Sequence, residues 1–294
     1  MSESGKLDAT IKARKIKAYS YMSEIKALLS DMPFGKRRLE IGLMLRDAMF
    51  VNGVLCNSEA WHSITKKHIE ELEVVDRQLM RHIIGAHAKA PVEFLYLETG
   101  VIPLQHVISC RRLLYLKNIL QREDNELIKR IYKAQLDNPV KGDWCELVQK
   151  DLEDLDLNTN QVELVGTDNY KEKVKEKIKR LAFSDLKELQ KSHTKINNIE
   201  YKCFKAQPYI KNHIMNNEDI SLLFSLRCRT VRNIKANFPT MYFGNVLCQL
   251  GCQVEETQEH CFQCPAITQN KERNSSVEYT DIFGNPDQQA TVTK

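Results

Sequence analysis

Glycine and proline are scarce in this chain of 294 residues, which contains 11 Gly and 8 Pro. The apolar residues recur at intervals of three and four rather than in alternation. Both features are typical of helices, so we expect a mainly α protein without a low-complexity tract. The predicted helices cover residues 7–31, 36–52, 65–84, 91–100, 103–122, 124–137, 143–154 and 169–192.

Long apolar runs are also absent. No stretch approaches the roughly 18 uninterrupted apolar residues that a membrane-spanning helix needs, and the N-terminus does not resemble a signal peptide. The cysteine count is nine, an odd number, and five of the nine are scattered singly through helical sequence. A disulfide framework is therefore not expected, and we predict a soluble, intracellular protein with no membrane partner.

The charge balance excludes little. The chain has 43 Lys and Arg against 39 Asp and Glu, a formal net charge of +4. Such a small excess indicates solubility only, so a polyanionic partner has to be judged from local clusters of charge.

One segment specifies a chemistry. Cys248 and Cys252 flank a short turn that contains Gly251, and His260 and Cys264 follow at a spacing that places both side chains on one face of a helical turn. Three thiolates and one imidazole suit a tetrahedral zinc ion with no open position. We therefore predict a structural Zn²⁺ site.

Cys261 offers an alternative fourth ligand. Cys261 and Cys264 form a Cys-x-x-Cys pair that would complete an all-cysteine site. On a short helix that begins near Glu255, however, Cys261 points about 100° away from His260. We therefore favour His260.

A segment without acidic residues, 221–247, directly precedes this site. Cations that reach phosphates and rings that stack on bases suit single-stranded or distorted nucleic acid. The alternative is a helix and loop that pack on the zinc site with their arginines in solvent. The candidate contact residues are Arg227, Arg229, Arg232, Lys235, Phe238 and Tyr242, and Phe243 is a further candidate stacking surface.

Arg111 and Arg112 lie on or beside the apolar face of the helix predicted after Pro103. A guanidinium in that position must be paired or must reach outward. Two interpretations are open: an internal ion pair with Glu93 or Glu98, or a contact to a nucleic-acid phosphate.

Four stretches carry a resemblance to a known family. They read "NGVLCNSEAW" from Asn52, "RHIIGAHAKAPVEFLYLETGVIPLQHVISCRRLLYLKNIL" from Arg81, "LLFSLRCRTVRNIKANF" from Leu222 and "CQLGCQVEETQEHCFQC" from Cys248. Together they resemble the C-terminal part of a non-LTR (LINE-like) retrotransposon reverse transcriptase. The zinc stretch is the most specific of the four.

This resemblance implies a domain order and a partner. Residues 1–155 would form a thumb-like helical region, 156–215 a helical linker, 216–268 a CCHC zinc-binding region and 269–294 a flexible tail. The family's zinc ligands fall on Cys248, Cys252, His260 and Cys264. The implied partner is RNA or single-stranded or distorted DNA, with no small-molecule substrate.

Catalysis is not expected of this chain alone. Nucleotidyl transfer by such polymerases needs an adjacent Asp-Asp pair that holds two metal ions, and no Asp-Asp dipeptide occurs here. We expect the fingers and palm to precede Met1. The leading hypothesis is a nucleic-acid-binding module with structural zinc; the alternatives are a zinc-stapled scaffold for protein partners and a polymerase completed by a separate palm.

Overall fold

The structure, a computed structural model, describes residues 7–30, 32, 37–211, 215–231 and 234–268. Arg232 and the predicted tail, residues 269–294, lie outside the described residues.

The described chain is mainly helical, as predicted, and its nearest approach to a strand is an isolated antiparallel bridge between Leu247 and Glu255. A π-helical turn, Arg46–Val51, joins the second and third helices. The α-helices are α1 (Asp8–Ser30), α2 (Arg38–Leu45), α3 (Asn52–Val54), α4 (Lys66–Ile84), α5 (Val92–Thr99), α6 (Leu104–Leu120), α7 (Leu127–Asp137), α8 (Trp144–Asp154), α9 (Thr159–Leu164), α10 (Thr167–Lys191), α11 (Asn217–Arg227), α12 (Gln258–Gln263) and α13 (Pro265–Thr268).

Helix ends follow local signals in the sequence. Asp143 caps α8 by accepting a hydrogen bond from the backbone N–H of Glu146. Gly100 ends α5 with a φ of +64°, and a Cβ at this position would lie 2.5 Å from the backbone nitrogen of Ala206. Only glycine combines this left-handed conformation with so close an approach of another segment.

The chain divides into two compact units, each built from separated stretches. Unit 1 comprises the described residues of 1–28, 43–79 and 101–188, and unit 2 those of 29–42, 80–100 and 189–294. The stretch predicted as a linker, 156–215, therefore contributes to both cores: Tyr170 and Val174 are buried in unit 1, and Ile196 and Tyr201 in unit 2.

The core of unit 1 gathers buried side chains from α6 to α10, including Leu116, Trp144, Val148 and Tyr170. One lysine side chain lies within this apolar cluster. Lys117 is buried, and its ammonium donates hydrogen bonds to the carbonyls of Val162, Glu163 and Val165 at the end of α9. It thus satisfies carbonyl groups that a helix end leaves without partners.

The core of unit 2 contains a charged cluster around Glu98. This carboxylate is fully buried and accepts hydrogen bonds from the hydroxyls of Tyr201 and Tyr209 and from the guanidinium of Arg227. Burial raises the pKa of both tyrosines well above its usual range, so both hydroxyls stay protonated and donate. The buried carboxylate and the buried guanidinium thus neutralise each other within the cluster, and the two hydroxyls complete the hydrogen bonding of the carboxylate.

No helix in the described part of the chain combines the length and apolarity needed to cross a membrane.

Candidate metal centre and nucleic-acid interface

The predicted metal ligands lie in a short hairpin followed by α12, residues 246–264, which we call the metal segment. The N–H of Cys248 donates to the carbonyl of Val254 at 2.8 Å, and the N–H of Gly251 donates to the carbonyl of Cys248 at 3.2 Å. Gly251 has a φ of +81°, which a turn this tight requires. Thr257 then caps α12 by accepting from the N–H of His260.

This backbone brings Cys248, Cys252, His260 and Cys264 together, with one ligand atom from each lying within 4.8 Å of the others. The sulfur of Cys264 lies 3.4 Å from that of Cys252 and 4.0 Å from that of Cys248. Around a tetrahedral ion with bonds of about 2.3 Å to sulfur, neighbouring sulfurs lie about 3.8 Å apart. The four side chains could therefore hold one metal ion with little movement.

A buried nitrogen supports the same conclusion. Nε2 of His260 is inaccessible to solvent and has no hydrogen-bond partner in the described part of the chain. A buried imidazole nitrogen without a partner is unfavourable unless something else occupies its lone pair or its proton. A metal ion bound at the adjacent thiols would give the imidazole a partner.

The thiols lie in different electrostatic environments. The backbone N–H of Leu250 lowers the pKa of Cys248, because it stabilises the thiolate. The hydrogen bond with the Cys264 thiol is the main cause that raises the pKa of Cys252 to about 11. Three close thiols cannot all ionise without a cation among them, so metal binding would displace their protons.

Cys261 is not among the four residues that converge. Burial raises the pKa of its thiol to about 11, which keeps the side chain protonated at neutral pH. Of the two candidates for the fourth ligand, only His260 lies in the group of four residues that converge. Helix α12 begins at Gln258 rather than near Glu255, because Thr257 supplies the cap.

Two polar residues that the sequence did not single out hold the metal segment. The buried carboxylate of Glu256 accepts hydrogen bonds from the backbone N–H groups of Lys235 and Gln249 at 3.3 and 3.0 Å. The buried Gln258 donates to the carbonyl of Leu226 at the end of α11. Supporting contacts of this kind orient metal ligands, but no local sequence signal marks them.

The structure corrects the predicted role of Arg227. Its side chain is 2 % exposed and forms an ion pair of 2.9 Å with Glu98. Burial alone would lower the pKa of this guanidinium, but Glu98 and the two tyrosines raise it above its usual range. A buried, fully paired guanidinium is not available to a phosphate, so Arg227 stabilises the fold instead.

Arg111 and Arg112 are also engaged within the protein. Arg112 is buried and pairs with Asp151 at 2.7 Å, and Ser109 donates to the same carboxylate. Arg112 therefore forms an internal ion pair, as one of the two interpretations predicted, but its partner is Asp151 rather than Glu93 or Glu98. Arg111 donates to the carbonyl of Leu55 and the side chain of Asn52. Neither arginine fits the predicted phosphate contact.

Phe238 is likewise buried rather than available for stacking. The edge of His87 packs against it, with ring centres 5.0 Å apart. Two ammonium groups approach the same ring: Nζ of Lys89 lies 5.1 Å and Nζ of Lys195 lies 5.8 Å from its centre. Within the described residues, neither lysine forms an ion pair with a carboxylate.

The remaining candidates lie on or beside the metal segment. Arg229 is half exposed and pairs with Glu259 of α12 at 3.1 Å, and its carbonyl lies 3.5 Å from Nζ of Lys195. Lys235 donates to the carbonyl of Leu247 and lies 5.9 Å from the centre of the Tyr242 ring. Arg232 lies outside the described residues.

The cations around Phe238 could not be found from the sequence. Lys89 follows α4 and Lys195 follows α10, so the two come from distant parts of unit 2. Neither lysine belongs to the segment without acidic residues, because tertiary packing rather than sequence brings them to Phe238.

Comparisons with protein-family models, curated proteins and solved structures give no match to this chain.

Proposed function

We propose that the metal segment holds one structural Zn²⁺ through Cys248, Cys252, His260 and Cys264, and that unit 2 binds nucleic acid. The donor set supports zinc because three thiolates and an imidazole are soft and borderline ligands that suit a closed tetrahedral site. Zinc would stabilise the hairpin and α12 against each other, since the short segment leaves Leu247, Leu250 and Val254 exposed and so gains little from apolar burial.

One observation carries the proposal for nucleic acid: the ammonium groups of Lys89 and Lys195 lie 5.1 and 5.8 Å from the centre of the Phe238 ring, and neither has a carboxylate partner in the described chain. The protein gathers like charges here, which costs free energy in the absence of an anion. A phosphate backbone supplies closely spaced anions and would reduce this repulsion. Lys235 extends the positive charge toward the metal segment.

The proposal also concerns the protein family from which the chain derives. Motifs in both units resemble the C-terminal part of a non-LTR retrotransposon reverse transcriptase, and in that reading the helices of residues 1–155 form the thumb-like region. The chain would then act as an RNA- or DNA-binding part of such an enzyme, with no polymerase activity of its own. The absence of an Asp-Asp dipeptide supports the last point.

A second candidate is a zinc-stapled scaffold for protein partners. It is favoured by exposed apolar side chains on or near the metal segment, at Met241, Leu247, Leu250 and Val254. Apolar side chains exposed together are typical of protein interaction surfaces. This candidate predicts no affinity for nucleic acid.

Salt dependence separates the two candidates. The full chain would be titrated against labelled single-stranded RNA and DNA by fluorescence anisotropy at a series of salt concentrations. Phosphate contacts release counterions, so the logarithm of the affinity should fall linearly with the logarithm of the salt concentration. Absence of binding at low salt would refute the proposal and favour the scaffold.

A further inference from the structure

Phe243 is the most exposed large apolar side chain in the described chain: its side chain is 100 % exposed. Its backbone adopts the left-handed conformation, with a φ of +53°. This conformation is rare for an aromatic residue and is unfavourable by itself. Phe243 therefore combines backbone strain with an apolar ring in water, and neither feature helps the protein to fold.

The surrounding turn holds the backbone of Phe243 in place. A 3₁₀ turn, Pro239–Tyr242, precedes Phe243, and the N–H of Gly244 donates to the carbonyl of Pro239 at 3.0 Å. The N–H of Met241 donates to the carbonyl of the buried Phe238 at 2.9 Å, which anchors the turn on the core of unit 2. Because the backbone at Phe243 is already fixed, only the side chain loses conformational entropy when a ligand covers the ring.

The charges around the ring favour a polyanion over a protein surface. No acidic residue occurs between positions 228 and 254 of the sequence. Beyond that stretch, Glu256 is buried by backbone hydrogen bonds and Glu259 is paired with Arg229. Lys235 lies against Tyr242, the residue that immediately precedes Phe243. The exposed Phe243 thus directly follows in the chain an aromatic residue whose ring a cation approaches.

We infer that Phe243 is a stacking platform for an unpaired nucleobase, so that the interface selects single-stranded over duplex nucleic acid. This inference rests on the proposed function and deepens it. A base presents a flat π-face that an exposed ring can cover, whereas the bases of a duplex are already stacked on each other. Phosphates flanking that base would lie toward Lys235 and the cations around Phe238.

The test uses the full zinc-loaded chain and three probes of equal length: a single-stranded oligothymidylate, the same backbone with abasic sites, and a DNA duplex. The informative variants are Phe243→Ala, which removes the ring, and Phe243→Trp, which enlarges it. Leu164→Ala is the matched control, because Leu164 is also a highly exposed apolar residue but belongs to unit 1.

The expected result is that Phe243→Ala weakens binding of oligothymidylate by about 5- to 150-fold, the range for loss of one stacked base, and leaves the abasic strand unaffected. Phe243→Trp should retain affinity for oligothymidylate. The fluorescence of the new indole should fall on binding. The two natural tryptophans, Trp61 and Trp144, are buried, so a ligand that covers residue 243 should not quench them. Leu164→Ala should match the wild type on all probes.

Two outcomes would overturn the inference while the proposed function stands. The first is equal affinity of wild type and Phe243→Ala for oligothymidylate. The second is an equal loss on the abasic strand. Self-association of the wild type that Phe243→Ala abolishes, seen by sedimentation without any change in nucleic-acid affinity, would assign the ring to a second copy of the chain. If the wild type binds none of the three probes, both the proposed nucleic-acid binding and the stacking role of Phe243 are refuted.

Discussion

Glu98 at the end of α5 holds Arg227 at the end of α11 through two hydrogen bonds of 3.1 and 2.9 Å, although the residues are 129 positions apart. The hydroxyls of Tyr201 and Tyr209 complete the coordination of the carboxylate. This pair joins two helices of unit 2 in its core. It also removes from the surface an arginine that composition alone would assign to nucleic acid.

Glu98→Gln should destabilise the protein by about 3–5 kcal/mol, because it leaves the guanidinium of Arg227 buried without a counter-charge. Urea denaturation followed by circular dichroism measures the change. Glu126→Gln is the control, since Glu126 pairs with Arg122 at an exposed position, where the expected change is below about 1 kcal/mol. A loss in Glu98→Gln as small as that of the control would contradict the assigned role.

We expect one zinc ion per chain by elemental analysis of the purified protein. Cys264→Ser and His260→Ala should each lose most of the metal, because each removes one of four ligands. Cys261→Ser should keep it, since Cys261 is not among the converging residues. Retention of zinc by His260→Ala together with its loss from Cys261→Ser would show that the fourth ligand is Cys261.

Glu73 predicts a pH effect on stability. Burial is the main cause that raises the pKa of this carboxyl from 4.5 to about 6. A pKa raised in the folded state means that folding favours the protonated acid, so its contribution is fully present below pH 4.5 and is lost as the pH rises through about 6. Glu73→Gln should therefore gain up to about 2 kcal/mol over the wild type between pH 4.5 and pH 7.

The measurement is the difference in unfolding free energy between Glu73→Gln and wild type across that pH range. The amide can still accept the hydrogen bond that the backbone N–H of Gln105 donates to this side chain. Glu172→Gln, on the exposed face of α10, serves as the control. A difference that does not change with pH would disprove the effect of burial at Glu73.

Much of the fold was predictable because helices carry their signals locally. The apolar stripe of α4 ends at Gly85, α6 follows Pro103, and the predicted bounds of these helices agree with the observed ones to within two residues. The convergence of Cys248, Cys252, His260 and Cys264 was predictable for the same reason. Spacing within 17 residues determines which side chains can meet, and all four do meet.

The distribution of exposure was not predictable, because it depends on contacts between distant segments. Phe238 and Phe243 look equivalent in the sequence, yet His87, Lys89 and Lys195 cover the first and the second is fully exposed. Arg112 and Arg227 find carboxylates 39 and 129 residues away. Local periodicity contains no information about such partners.

The chain alone should not extend a primer with any template or divalent metal. Two-metal catalysis needs clustered carboxylates, and the described residues contain no metal-capable group besides Cys248, Cys252, His260 and Cys264. A primer-extension assay against a mock preparation checks this. Extension that survives mutation of the cysteines and exceeds the mock level would reveal a catalytic centre that this account lacks.

The most direct test of the proposed function is the salt slope of single-strand binding by the variant Lys89→Ala/Lys195→Ala, compared with Lys171→Ala/Lys179→Ala. The control pair removes the same charge from exposed positions on α10 of unit 1. Each lost phosphate contact should flatten the slope by about 0.7. A nucleic-acid interface at Lys89 and Lys195 predicts a slope flatter by about 0.7 to 1.4 in the first variant and unchanged in the second. Equal slopes in both variants and the wild type would contradict a nucleic-acid interface at these lysines.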